Sequence, residues 1–205
     1  MIAIVDYGIG NVKSIKNMLN RAGASAAISA DPRVIESADK LILPGVGHFG
    51  YGIERLRASG LIPALERRAL QARVPVLGIC LGAQLMGRGS DEAELPGLGW
   101  LPMRTVAFDR ARLPAGHKVP HMGWAETLES RGPLFAGMAE ARFYFVHSFH
   151  FACDDEALVV SRAQHGYGFP AGVASGNLYA VQFHPEKSHA HGLRLLQNFA
   201  ALGTP

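Results

Sequence analysis

The chain has 205 residues, 48% of them apolar and 18% charged, a balance that implies one well-packed domain with a sizeable core. Its formal net charge of +3 and sequence pI near 9.0 are only a weak nucleic-acid signal. The densest basic group (Arg55, Arg57, Arg67, Arg68 and Arg73) is interspersed with Glu54 and Glu66, lacks interleaved aromatics, and reads as a solvated helix face.

Two cysteines, Cys80 and Cys153, form no disulfide framework and suit a reducing compartment. Met1 runs straight into Ile2-Ala3-Ile4-Val5 without the charged leader of a signal peptide. No apolar run approaches the ~18 residues of a membrane-spanning helix. The expectation is a soluble, cytoplasmic protein that engages neither membrane nor nucleic acid.

The first half alternates strands with helices. Ile2–Val5 is an apolar strand, followed by a helix over Asn11–Ala22 with Val12, Ile15, Leu19 and Ala22 at helical spacing. Lys40–Leu43 is a strand ending at Pro44-Gly45-Val46-Gly47. An amphipathic helix over Leu61–Ala72 stops before Pro75, and Val76–Ile79 is a strand ending at Cys80. Apolar strands alternating with helices predict a parallel sheet covered on both faces.

From Trp100 onward the pattern becomes strand-rich. Leu101–Val106, Gly123–Thr127, Arg142–Ser148, Ala157–Ser161 and Leu178–Phe183 read as strands, some forming antiparallel pairs at one edge of the main sheet. A helix over His189–Ala201 closes the chain. No repeat or linker appears, so residues 1–205 are read as a single α/β domain: a mainly parallel open sheet, helices on both faces, and an antiparallel edge.

Sites in such sheets form beyond the carboxyl ends of the strands. Four strand-end loops qualify: Asp6–Asn11, Pro44–Phe49, Cys80–Gln84 and His184–Lys187. Cys80, in Gly78-Ile79-Cys80-Leu81-Gly82, sits on a strand-to-helix turn. A helix N-terminus there favours a thiolate, and the Leu81 N–H is a natural oxyanion donor. Gly78 and Gly82 are read as easing the tight turn and the approach of substrate.

His184 and Glu186 lie two apart on an extended segment, so both side chains emerge on one side. Glu186 can orient the imidazole, and His184 can hold the thiolate and then protonate a leaving amine. Pro44-Gly45-Val46-Gly47 offers backbone donors near Val46 and Gly47 for a second oxyanion contact, and a Gly45-Val46 peptide flip could switch it. A lone cysteine, a His-Pro-Glu or a glycine turn is each more ordinary alone; their combination points to acyl transfer through a thioester.

His147-x-x-His150 and His189-x-His191 have weak metal-ligand spacing, but no cysteine pair or His-Glu-x-x-His accompanies them. No metal and no cofactor are assigned. Cys153 is read as a packed or peripheral thiol.

Together these segments resemble the class I, triad-type glutamine amidotransferases, and within them the glutaminase subunits of imidazole glycerol phosphate synthase. Gly78 to Gln84 is similar to the family's nucleophile elbow, and Gln182-Phe183-His184-Pro185-Glu186-Lys187-Ser188 to its His/Glu segment. Asp6-Tyr7-Gly8-Ile9-Gly10-Asn11, Pro44 to Phe49, Val119 to Trp124 and Phe145-Val146-His147-Ser148 extend the resemblance nearly end to end.

The resemblance implies a glutaminase with Cys80, His184 and Glu186 as its triad. It implies that Gln84, Glu92 and Ser148 hold the glutamine, with Glu92 on the α-ammonium. It also implies a separate (β/α)₈ cyclase subunit that receives the ammonia, met at Asn11 and Lys187, and low activity until that partner binds its nucleotide substrate. The alternative is a glutaminase serving a different ammonia-using synthase; a binding module without activity is a further one.

Two departures stand out. Ala125 replaces the asparagine that usually follows Gly-Trp, which would alter a contact near the partner. Gly87-Arg88-Gly89 would loosen the helix after Cys80 by up to ~1 kcal/mol per glycine.

Overall fold

The computed structural model describes residues 1–138 and 140–203. Strand β1 (Ile2–Val5) leads into helix α1 (Val12–Arg21), followed by β2 (Ala26–Ser29), α2 (Pro32–Ser37) and β3 (Lys40–Leu43). Helix α3 (Phe49–Ala58) and helix α4 (Ile62–Glu66), continued by a π-helical turn at Arg67–Gln71, precede β4 (Val76–Ile79) and the short α5 (Leu81–Leu85). The second half is strand-rich: β5 (Gly89–Ser90), β6 (Ala93–Pro96), β7 (Met103–Ala107), β8 (His121–Thr127), β9 (Ala141–His147) and β10 (Phe149–Cys153). Then come β11 (Val159–His165), β12 (Tyr167–Ser175), β13 (Leu178–Val181) and helix α6 (His189–Ala201).

The main sheet runs β11-β12-β13-β4-β3-β1-β2. From β13 to β2 all pairings are parallel, and β12 and β11 form the antiparallel edge. Alternation along each strand feeds two apolar layers. Leu41 and Leu43 join Ile35, Ile53, Leu56 and Leu65 of the helices on one face. Ile42 joins Ile15, Leu19, Leu195 and Phe199 of α1 and α6 on the other. Each fully buried side chain of this size contributes about 1.5–3 kcal/mol. This is the single-domain α/β architecture, helices on both faces, that the alternation implies.

The chain crosses from β2 over β1 to β3, so β1 and β3 flank the point where strand order reverses. A crevice opens there, beyond the carboxyl ends of the strands.

Several sequence expectations need correction. The antiparallel edge expected of the main sheet is there, formed by β11 and β12, whereas the other late strands leave that sheet: β7 pairs with β10 in a four-stranded sheet and β8 with β9 in a two-stranded one. The strand expected at Ala157–Ser161 begins only at Val159, after a 3-10 turn at Glu156–Leu158. Helix α5 ends at Leu85, so Gly87-Arg88-Gly89 cannot loosen it. A Cβ at Gly87 would stand 2.8 Å from the Met103 carbonyl, which makes this glycine a packing requirement. Ala125 is half-buried against the second core layer while Met122 and Trp124 are exposed, so its side chain faces inward and away from any partner on that surface.

Candidate active site

Cys80 is the residue on which the site turns. It follows β4 directly and takes φ +51°, ψ −113°, a left-handed strain unusual for a residue with a side chain. Strained nucleophile elbows present their side chain above the sheet in this way. The flanking glycines serve close packing rather than the turn itself. A Cβ at Gly82 would lie 1.9 Å from the Leu43 carbonyl, and one at Gly78 would lie 2.6 Å from the Ala83 Cα. Neither glycine has positive φ; the strain sits on Cys80. With only five residues, α5 has a weak dipole, so its first N–H groups matter more than its length.

His184 is delivered by the segment after β13. Its N–H donates to the Tyr144 carbonyl at 2.9 Å, and the Ser188 hydroxyl donates to its carbonyl at 2.6 Å. Its Nδ1 lies 2.8 Å from Glu186 Oε1, with both side chains 1% exposed. A carboxylate only accepts, so Nδ1 carries a proton. Nε2 is buried and makes no hydrogen bond of good geometry.

Burial favours the neutral imidazole. The Cys80 charge beside it and the Glu186 carboxylate outweigh that and push the His184 pKa up to about 10. His184 is thus favoured in its protonated form beside Cys80, with its Nε2 hydrogen bond not yet aligned, as is common before substrate binds.

A cavity of about 460 Å³ opens over Cys80. Of the residues singled out by sequence, Cys80, His184, Gln84, Glu92, Ser148, Val46, Gly47, Asn11 and Lys187 all line it. Glu186 lies behind His184, and the Leu81 side chain is buried, packed toward Gly45 and Gly52. Glu92 Oε2 accepts from the Phe49 N–H at 2.7 Å at the start of α3. That bond anchors the carboxylate and leaves it a second oxygen for the cavity. Among the described residues no group of three or more histidine, cysteine or acidic side chains is placed to hold a metal.

Sequence reasoning gave no role to three residues here. Gln182 is fully buried, with Nε2 3.7 Å from Cys80 Sγ and Oε1 accepting from Gln84 Nε2 at 3.2 Å. It lies two residues before His184, so the period-two rule that paired His184 with Glu186 also points to it. Tyr7 donates its hydroxyl to the Pro44 carbonyl at 2.6 Å. His147 lines the cavity, and its Nδ1 bonds the Phe149 carbonyl at 2.7 Å. Tyr7 and His147 fall within segments that carry the family resemblance, but no spacing rule assigns either a role.

A strained cysteine elbow, a buried His/Glu pair and an anchored acidic side chain surround one cavity, an arrangement that suits thiol chemistry. The family model for class I glutamine amidotransferases matches residues 3–202, and the chain belongs to that family.

Within it, the chain is 45% identical to imidazole glycerol phosphate synthase subunit HisH 2 of Pseudomonas aeruginosa, across 98% of this chain and 100% of that one. It is 46% identical to subunit HisH of Sulfurimonas denitrificans, across 97% of each. Subunit HisH 2 of Methanococcus maripaludis is 45% identical, across 97% of this chain and 98% of that one. The fold also matches a crystal structure of a glutamine amidotransferase at TM-score 0.76 and 21% identity, covering 98% of this chain and 100% of that one. The chain is a member of the HisH subunits of imidazole glycerol phosphate synthase.

Proposed function

We propose that the protein hydrolyses glutamine at Cys80 and hands the ammonia to a cyclase subunit of imidazole glycerol phosphate synthase in histidine biosynthesis. The observation that carries the chemistry is the Cys80–His184–Glu186 arrangement at the floor of the cavity.

The thiolate of Cys80 attacks the side-chain carboxamide carbon of glutamine, forming a C–S bond and an oxyanion. The Leu81 N–H and a backbone N–H at Val46 or Gly47 hold that oxyanion. His184 gives its Nε2 proton to the departing nitrogen, the C–N bond breaks, and ammonia leaves. A water then loses a proton to neutral His184 and attacks the thioester, and the C–S bond breaks to release glutamate. Glu186 holds the imidazole in register throughout.

For the substrate, Glu92 takes the α-ammonium, and Gln84 and Ser148 supply polar contacts. This suits a zwitterion, which needs an anion for its amine and donors for its carboxylate.

Ammonia free in water is mostly protonated and a poor nucleophile, so a partner docked over the cavity mouth suits the chemistry. Asn11 and Lys187 line the cavity and are assigned to that interface. Lys187 Nζ lies 5.6 Å from the centroid of the Tyr144 ring, and the exposed Met122 and Trp124 occupy the same strand pair. The partner is proposed to be a (β/α)₈ barrel, and the pair to work in the cytoplasm. Among the described residues no helix is long and apolar enough to cross a membrane.

The test is glutamate release from glutamine by this protein alone, with the cyclase, and with cyclase plus its nucleotide substrate. Stimulation only in the last mixture supports the whole reading. Strong hydrolysis indifferent to the cyclase keeps the glutaminase and removes the partner.

A further inference from the structure

The sheet sets Gln182 directly beside Cys80. In the parallel pairing of β13 with β4, Val181 lies opposite Ile79, so the next residues along, Gln182 and Cys80, are neighbours across the ladder. The Cys80 N–H donates to the Val181 carbonyl at 2.8 Å, and the Gln182 N–H donates to the Ala171 carbonyl at 2.9 Å. Backbone bonds therefore hold the two residues side by side at the ends of their strands.

We propose that Gln182 is a further catalytic residue of the glutaminase reaction: its carboxamide N–H donates to Cys80 Sγ and stabilises the thiolate. This deepens the proposed function and rests on the thioester reading. The orientation of the amide follows from chemistry. A thiolate only accepts, so the nitrogen must face Sγ, 3.7 Å away, and the oxygen must face Gln84. There it accepts from Gln84 Nε2 at 3.2 Å. Gln84 lines the cavity, so the chain Gln84–Gln182–Cys80 links the substrate side of the site to the nucleophile.

A fully buried amide is costly unless its groups are bonded. Gln182 is 0% exposed, and its side chain has two partners, of which one is the reacting atom. A purely structural Gln84–Gln182 pair is the competing explanation, so the test must read the thiol itself.

The measurement is the pH dependence of Cys80 alkylation by iodoacetamide in the full protein and in Gln182→Met and Gln182→Asn, with glutamine turnover and thermal unfolding measured alongside. The first variant removes the donor and the second withdraws it by one methylene, so whichever folds carries the test. Loss of a hydrogen bond to a charged acceptor is worth about a tenfold effect. Alkylation at neutral pH should slow by about that factor, its pH midpoint should rise, and kcat should fall while KM changes little.

An unchanged alkylation profile in a folded variant, with alkylation still abolishing turnover, overturns the role of Gln182 and leaves the thioester reading standing. Alkylation of Cys80 that leaves turnover intact overturns both.

Discussion

The Tyr7 hydroxyl, at the end of β1, donates a 2.6 Å hydrogen bond to the Pro44 carbonyl at the end of β3. The bond crosses the point where strand order reverses and ties down the root of the segment carrying Val46 and Gly47. Burial, reinforced by the charge of Cys80, raises the Tyr7 pKa, so the phenol stays a neutral donor. Tyr7→Phe leaves a buried carbonyl unpaired at a cost of about 1–3 kcal/mol. Thermal unfolding should register that loss. Glutamine turnover should fall more than glutamine binding weakens, because the freed segment places its oxyanion donor less well.

Glu186→Gln removes the charge behind His184 but keeps the side-chain volume. His184 has its folded-state pKa raised above the ordinary 6.5, to about 10. Its protonation therefore stabilises the fold fully below pH ~6.5, and that contribution disappears as pH climbs through about 10. The variant should be less stable than the parent at neutral pH, and the two should converge at high pH. Turnover should drop by about 10²-fold or more, since the imidazolium is less favoured and less well oriented. Unfolding midpoints recorded from pH 6 to 10.5 for both proteins check this.

On the acid side the sign reverses. His121 Nδ1 lies 3.1 Å from His147 Nε2, and His147 Nδ1 donates to the Phe149 carbonyl. His147 Nε2 must therefore accept, and both rings are neutral. Burial, with a smaller contribution from His165, lowers the His121 pKa to about 4; burial likewise lowers that of His147. Groups held neutral by the fold contribute stability present above pH ~6.5 and lost as pH falls toward 4. His121→Phe should flatten this acid loss while lowering stability at neutral pH, because His147 Nε2 then lacks its donor. Urea unfolding at pH 7 and pH 5 distinguishes these two effects.

Gly82→Ala should be among the most damaging single-methyl changes in the chain. The added Cβ would stand 1.9 Å from the Leu43 carbonyl, a backbone atom in a central strand. Overpacking of this kind costs about 1–3 kcal/mol or more. Soluble yield and unfolding temperature should both fall, and turnover should be lost with them. Gly23→Ala, at an open position with positive φ, should cost only its local backbone strain.

The elements closest to the nucleophile were the most legible in the sequence. Lys40–Leu43 and Val76–Ile79 are short apolar runs, ended by Pro44-Gly45 and by Cys80, and both fall where expected. Strand β12 and the start of helix α3, of which only the charged face at Arg55 and Arg57 was read, were obscured by glycines and, in β12, by Pro170. Gly50 and Gly52 let α3 approach Ala93 and Leu81, and Gly172 of β12 packs under the Phe135 ring; in sequence they read as breaks. Strand β2, with small half-buried side chains at the sheet edge, carries too weak an apolar signal. At the site, each of the four strand-end loops sends at least one residue into the cavity, while Leu81 and Glu186 stand behind its lining. Tyr7 and His147 act through long-range contacts that local periodicity does not encode.

The most direct test of the account is covalent labelling by the glutamine analogue 6-diazo-5-oxo-norleucine, mapped by peptide mass spectrometry with glutamine turnover followed in parallel. The account predicts a single adduct on Cys80, protection by glutamine, loss of turnover in step with labelling, and neither label nor turnover in Cys80→Ala. Glutamine hydrolysis retained by Cys80→Ala, or inactivation that tracks an adduct on Cys153, would contradict it.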